Sequence, residues 1–173
     1  MAVHIIIDGY NLIRQSDSLR TLDMQDIQMG RDALVEILAE YKKLKKHKIT
    51  VVFDGTDAPF FLQHRDRVKG IEIKFSRKGE LADDLIKKMA GSQREKALVV
   101  SSDRDIINFS ESHGAATIGS REFESKMEMA SFFDFDDMET EENQGWVPTT
   151  KKKGPSKRPS KRKRRNRVKT RKL

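Results

Sequence analysis

Apolar residues in the first 133 positions fall into short runs, separated by stretches in which they recur every three or four residues. Three runs, residues 3–7, 49–53 and 96–100, are rich in Val and Ile and lack the alternation of a half-exposed sheet. That pattern predicts parallel strands buried on both faces. Residues 71–75 alternate and predict a more peripheral strand, with residues 115–118 as a last one. Between them, Met29, Ala33, Leu34, Ile37, Leu38, Tyr41 and Leu44 form one helical stripe. Its end carries Lys42, Lys43, Lys45, Lys46 and Lys48, where the helix dipole favours cations. Leu81, Leu85, Ile86 and Met89 make a second stripe before Gly91. Ile106, Ile107 and Phe109 mark a short third helix that ends by Gly114, and residues 122–133 a fourth.

Strands alternating with helices imply right-handed crossovers and a central, mostly parallel sheet flanked by helices. The expected fold class is α/β and Rossmann-like, occupying residues 1–133. No internal repeat is visible. Residues 134–150 read as an acidic, then polar, linker. Residues 151–173 are Lys/Arg-rich, with Gly154, Pro155 and Pro159, and too polar to bury a core, so they are expected to be disordered.

Charge sharpens this division. The chain carries +8, but residues 151–173 hold 14 Lys/Arg and no acid. Residues 1–133 balance 21 basic against 21 acidic side chains, and six acids lie between 134 and 142. The absence of Cys removes disulfides, thiolate metal sites and cysteine nucleophiles. No apolar stretch is long enough to span a bilayer, and MAVHIIIDG lacks the features of a signal peptide. A cytoplasmic protein without a membrane partner is expected.

The candidate chemistry lies at the strand ends. The first run leads into Asp8, the second into Asp54, and the third into Ser101, Ser102 and Asp103. In an open α/β sheet the ligand crevice lies outside the carboxyl ends of the strands. An aspartate there also caps helices and starts turns, as Asp8-Gly9 and Asp54-Gly55 invite. Three on adjacent central strands favour a site, because such charges raise one another's pKa unless a cation neutralises them. Oxygen donors without Cys or paired His suit Mg²⁺ or Mn²⁺. Glu80, Asp83 and Asp84 add a fourth acidic group at the start of the second stripe. Helical phase does not choose between Asp83 and Asp84, which flank the stripe on opposite edges.

Other phosphate chemistries fail on particular residues. A haloacid-dehalogenase phosphatase needs an Asp where Tyr10 stands, and a dinucleotide turn needs more than Gly9. A P-loop is absent, and Ser101 and Ser102 lack a nucleophile elbow.

The segments 5-IIIDGYNLI-13, 52-VFDG-55, 80-ELADDLI-86 and 100-VSSDRD-105 resemble an NYN domain, the branch of PIN-like nucleases that includes the YacP-like ribosome-associated endoribonucleases. The match covers about residues 2–130. This resemblance implies that Asp8, Asp83 and Asp103 hold Mg²⁺ or Mn²⁺, with Asn11 positioning phosphate or water. Asp54, Glu80, Asp84, Ser102 and Asp105 are expected as supporting residues. The implied reaction is metal-assisted hydrolysis of single-stranded RNA, with ribosome-bound RNA as the partner the resemblance implies, whereas composition does not separate RNA from DNA.

The basic tail, with Lys151, Lys152, Lys153, Arg162, Lys163, Arg164 and Arg165, is expected to displace counterions from a phosphate backbone without reading sequence. It has no aromatic for stacking. Folding back onto the acidic 134–142 run and nuclear import are competing roles for it. Arg77, Lys78 and Arg104 are further candidate phosphate contacts near the crevice. His4 reads as a packed residue, His64 as part of an exposed basic segment, and Trp146 as a linker anchor. Besides the endoribonuclease, the same residues admit a non-catalytic RNA- or ribosome-binding module and a metal-dependent DNA nuclease. Oligomeric state is open at this level.

Overall fold

A computed structural model describes residues 3–55, 65–136 and 160–173. The strands are β1 (His4–Asp8), β2 (Lys48–Phe53), β3 (Arg65–Val68), β4 (Ile71–Phe75), β5 (Ala97–Val100) and β6 (Ala116–Ile118). The helices are α1 (Gly9–Gln15), α2 (Asp17–Gln25), α3 (Ile27–Lys45), α4 (Ala82–Gln93), α5 (Arg104–Ser112), α6 (Ser120–Asp136) and α7 (Lys161–Thr170). His64, Trp146, Lys151, Lys152, Lys153 and most of the expected 134–150 linker lie outside the described residues.

The six strands form one sheet in the order β3-β4-β2-β1-β5-β6. All pairings are parallel except β3 with β4. In register, Ile5 stands between Ile49 and Leu98, and Ile7 between Val51 and Val100. These residues face a core shared with Leu34, Leu38 and Phe123 of α3 and α6. Ile6, Val52 and Val99 point the other way, onto Ile86 and Met89 of α4 and Ile106 of α5. Each central strand thus feeds two cores, which is why its sequence is a continuous apolar run.

The residues predicted as strands and helices form them, with ends shifted by a few positions. Residues 71–75 are less peripheral than expected, because β3 covers the outer side of β4. The β3–β4 connection is Lys69-Gly70, both at positive φ (50° and 82°), a two-residue hairpin turn that matches strand twist. Helices α1 and α2 also join the expected set. Asp8 ends β1 and at once caps α1, so no loop separates strand from helix. Gly9 makes this possible: a Cβ there would lie 2.3 Å from Cε1 of Phe53.

The tail differs most from expectation. Its residues 161–170 are helical rather than disordered, and α7 packs beside β6. Arg165 pairs with Glu95 (2.7 Å) and donates to the Gly114 carbonyl (2.9 Å), while Asn166 Nδ2 donates to Glu111 (2.9 Å). Lys169 donates to the carbonyls of Glu95 and Ala97. Leu173 is buried among the α3 side core residues, and its carbonyl accepts from Tyr41 OH (3.1 Å). Apolar content alone forecast disorder. The segment is ordered instead by carboxylates and carbonyls that the body presents to it. No described helix is long and apolar enough to cross a membrane.

Candidate active site

The carboxyl ends of β1, β2 and β5 open into a crevice of about 470 Å³. Asp8, Asn11, Asp54, Asp83 and Asp103 line it. Asp8 is 9% exposed. Its Oδ1 accepts from the Asn11 backbone N–H (3.3 Å) and its Oδ2 from the Ser101 hydroxyl (3.1 Å). Burial pushes its pKa up to about 6, the two hydrogen bonds oppose this, and the charges of Asp83 and Asp103 add to it. Asp103 caps α5 through Oδ1, which accepts from Asp105 N (2.7 Å) and Ile106 N (3.3 Å). Asp83 stands in the first turn of α4. Burial raises its pKa, with the Asp103 charge next in weight, and Lys87 pulls the other way.

Asn11 ties three segments together. Its Oδ1 accepts from Ser102 N–H (2.9 Å) and from the Ser120 hydroxyl (2.7 Å). The Ser102 backbone donor fixes which amide atom is oxygen, so Nδ2 is the donor left for the crevice. Ser102 in turn donates from Oγ to Gln15 Oε1 (3.1 Å). The α1, β5–α5 and β6–α6 segments are thereby locked around one side chain.

Of the two acids that helical phase left equivalent, Asp83 lines the crevice and Asp84 a neighbouring groove. Glu80, Arg77 and Lys78 line that groove too. Glu80 pairs with Lys88 (2.6 Å), which lowers its pKa, and Asp105 pairs with Lys87. Arg104 is exposed and lines neither cavity. Lys163, Arg164 and Arg165 lie on α7. Its partners Ala97 and Gly114 sit before or at the amino ends of β5 and β6, so this part of the tail is at the end of the sheet away from the crevice.

Sequence reasoning missed the α1 wall. Tyr10, Arg14 and Gln15 line the crevice, with Asp23 from α2. The Arg14 guanidinium lies over the Tyr10 ring at 5.6 Å. Arg31, 3% exposed, donates from Nε to Tyr10 OH (2.8 Å) and covers the rings of Tyr10, Phe53 and Phe75 at 5.2–5.6 Å. Reading a helix from Gly9 would have placed Arg14 one turn beyond Tyr10, on the same face.

The residues present suit a hard divalent cation. Every candidate donor is oxygen, and Asp8, Asp83 and Asp103 make no ion pair among the described residues. Also among the described residues, no three acidic or histidine side chains already stand close enough to hold one ion. Chelation by all three therefore requires side-chain movement.

The sequence matches the model of the YacP-like NYN domain over residues 5–170, well past the 2–130 span of the resembling motifs. It is 30% identical over 86 residues to "Uncharacterized protein YacP" of Bacillus subtilis strain 168. That alignment takes in 50% of either protein, so the chain spans about half the length of this relative. Crystal structures of Rae1 (YacP) from Bacillus subtilis superpose with TM-scores of 0.63 and, for a tryptophan-to-leucine mutant, 0.64. Identities are 25% and 26%; the superpositions cover 80% and 78% of this chain and 80% of each crystal chain.

Proposed function

Because the chain belongs to the YacP-like NYN domain family, we propose that it is a divalent-metal-dependent endoribonuclease hydrolysing single-stranded RNA in the cytoplasm. One observation carries this reading. Asp8, Asp83 and Asp103 converge on a crevice at the carboxyl edge of the sheet, and none is neutralised by an ion pair among the described residues. Clustered negative charge repels a phosphate backbone, so a protein that only bound RNA would gain nothing from it.

Asp8, Asp83 and Asp103 would hold Mg²⁺ or Mn²⁺. When bound, the ion supplies Lewis-acid stabilisation of the charge developing on the phosphate and a more acidic water. Asn11 Nδ2 donates to a phosphate oxygen without adding to the local negative charge. Ser101 orients Asp8, and Ser102, Gln15 and Ser120 hold Asn11, all four as positioning residues. Arg14, held against Tyr10, contacts an adjacent phosphate. Asp54 adds a further carboxylate to the rim.

The test is incubation of labelled single-stranded RNA with Mn²⁺ and either the native protein or an Asp8→Asn/Asp83→Asn variant. Cleavage that EDTA stops and the variant lacks is expected. Equal cleavage by both proteins removes the proposal. DNA of the same sequence, run in parallel, separates ribonuclease from general nuclease.

A second reading, a non-catalytic RNA- or ribosome-binding module, draws on the placement of α7 away from the crevice. It predicts that replacing the exposed Lys163, Arg164 and Arg167 by Gln abolishes function entirely, whereas a nuclease retains turnover.

A further inference from the structure

Beside the crevice lies a second cavity of about 640 Å³. Its walls are the Arg77–Glu80 turn, the outer side of α4 and Phe109 of α5. The two cavities share α4 as a partition. Asp83 lines the crevice and Lys87 the groove, and these two residues, four apart, lie on one side of α4 about 6 Å apart along its axis. A strand leaving the crevice along this side of α4 is led towards the groove.

The groove's chemistry is unlike the crevice's. Arg77, Lys78, Lys87 and Lys88 stand against Glu80 and Asp84 on its walls. Lys87 and Lys88 are held in place by Asp105 and Glu80. Arg77 and Lys78 make no ion pair among the described residues. They project from a turn closed by Glu80 N–H donating to the Arg77 carbonyl (2.9 Å), with Gly79 at φ 83°. An L side chain at Gly79 would be strained there.

Phe109 gives the groove its second property. It belongs to the apolar pattern of α5 but to neither hydrophobic core, and it lines this cavity half-buried beside the charged side chains. Its ring is stacked on the His113 imidazole, with centroids 4.0 Å apart and planes 22° from parallel. His113 Nδ1 lies 2.8 Å from the Phe109 carbonyl, so the pair is fixed from both ends. A rigid aromatic beside unpaired cations is the combination that single-stranded nucleic acid uses: phosphates meet the cations and an unpaired base meets the ring.

We propose that this groove is the subsite for the nucleotide adjoining the scissile phosphate, its base stacked on Phe109 and its phosphate held by Arg77 and Lys78. The inference rests on the reading of the crevice as a single-strand ribonuclease site. It makes the enzyme's preference for single strands a property of the groove, since a paired base has no free face to offer.

The test uses the full chain carrying Asp8→Asn, which leaves binding to be read without turnover. Octaribonucleotides carrying one 2-aminopurine at successive positions report stacking by fluorescence quenching. Quenching is expected at one register and not with the duplex. Phe109→Leu, which keeps an apolar side chain of similar bulk, should weaken binding about tenfold, and Phe109→Trp should restore it. Arg77→Gln should lower the slope of log affinity against log salt by about 0.7. In the cleaving protein, Phe109→Leu should raise KM about tenfold with kcat within about twofold. A Phe109→Leu protein that melts normally, quenches equally and keeps its KM overturns the subsite while leaving the nuclease standing. Phe109-dependent quenching by a protein that cleaves nothing keeps base stacking in the groove but removes the nuclease, and with it the groove's place beside a scissile phosphate.

Discussion

The buried carboxylate of Asp8 caps α1 and accepts from Ser101, yet its pKa is raised to about 6 from an ordinary 3.8. The folded protein therefore holds a proton that the unfolded chain has released between those values. Stability falls as pH rises from 3.8 to about 6 and is level above, by on the order of 3 kcal/mol in total. Asp8→Asn keeps a good helix cap and removes this cost. In the absence of divalent ions it is expected to melt higher than the native protein at pH 7.5, by about 1–2 kcal/mol, with no gain at pH 4. Calorimetry at the two pH values checks this, and cleavage by the variant should be lost. Mn²⁺ should raise the native melting temperature at pH 7.5, less at pH 5, and leave Asp8→Asn unmoved. Asn11→Asp keeps the acceptor for Ser102 but replaces the free amide donor by charge. It is expected to lower kcat about a hundredfold while the melting temperature changes little, measured by single-turnover cleavage.

Helix α1 is held by a contact that admits no side chain at Gly9, so Gly9→Ala is expected to destabilise the fold by about 1–3 kcal/mol in urea unfolding. The same helix shows where sequence reading fails. The strands β1, β2 and β5 were legible because each is buried on both faces and writes a continuous apolar run. Helices α1 and α2 are short, interrupted at Ser16, and bury only a few apolar residues such as Leu12, Ile13 and Leu19, too few to register as a stripe. Strand β3 is Arg-Asp-Arg-Val, without an apolar run; only the Lys69-Gly70 turn betrays it. For the site the consequence is direct. Asp8, Asp54 and Asp103 could be read from strand ends, but Tyr10, Arg14 and Gln15 depend on a helix that was not seen. Phe109 marks the third helix in the sequence, but periodicity records that a residue is apolar and not which cavity it faces. The Asp83 and Asp84 positions separate only once α4 divides crevice from groove.

Across the whole molecule, the basic helix and the candidate site occupy opposite ends of one sheet. The crevice sits at the carboxyl edge, and α7 reaches the amino ends of β5 and β6. Only part of the helix's charge is available to a partner: Arg165 and Lys169 are spent on Glu95 and backbone carbonyls, whereas Lys163, Arg164, Arg167 and Arg171 are exposed. Replacing each exposed cation by Gln should reduce the salt slope of single-stranded RNA binding by about 0.7, and Arg165→Gln should instead lower stability. Filter binding across a salt series and a thermal melt distinguish the two effects. The position of α7 has a second consequence. A sheet six strands wide has two open borders. The β3 border carries Arg65, Asp66 and Arg67, which discourage pairing with another chain. The β6 border is Ala-Thr-Ile, without a charge of its own, and α7 lies beside it. Excision of residues 160–173 would bare an uncharged ladder of donors and acceptors, and the clipped protein is expected to self-associate in sedimentation at concentrations where the intact one does not. That role for the basic helix, covering an edge, is separate from the polyanion contact proposed for its exposed cations.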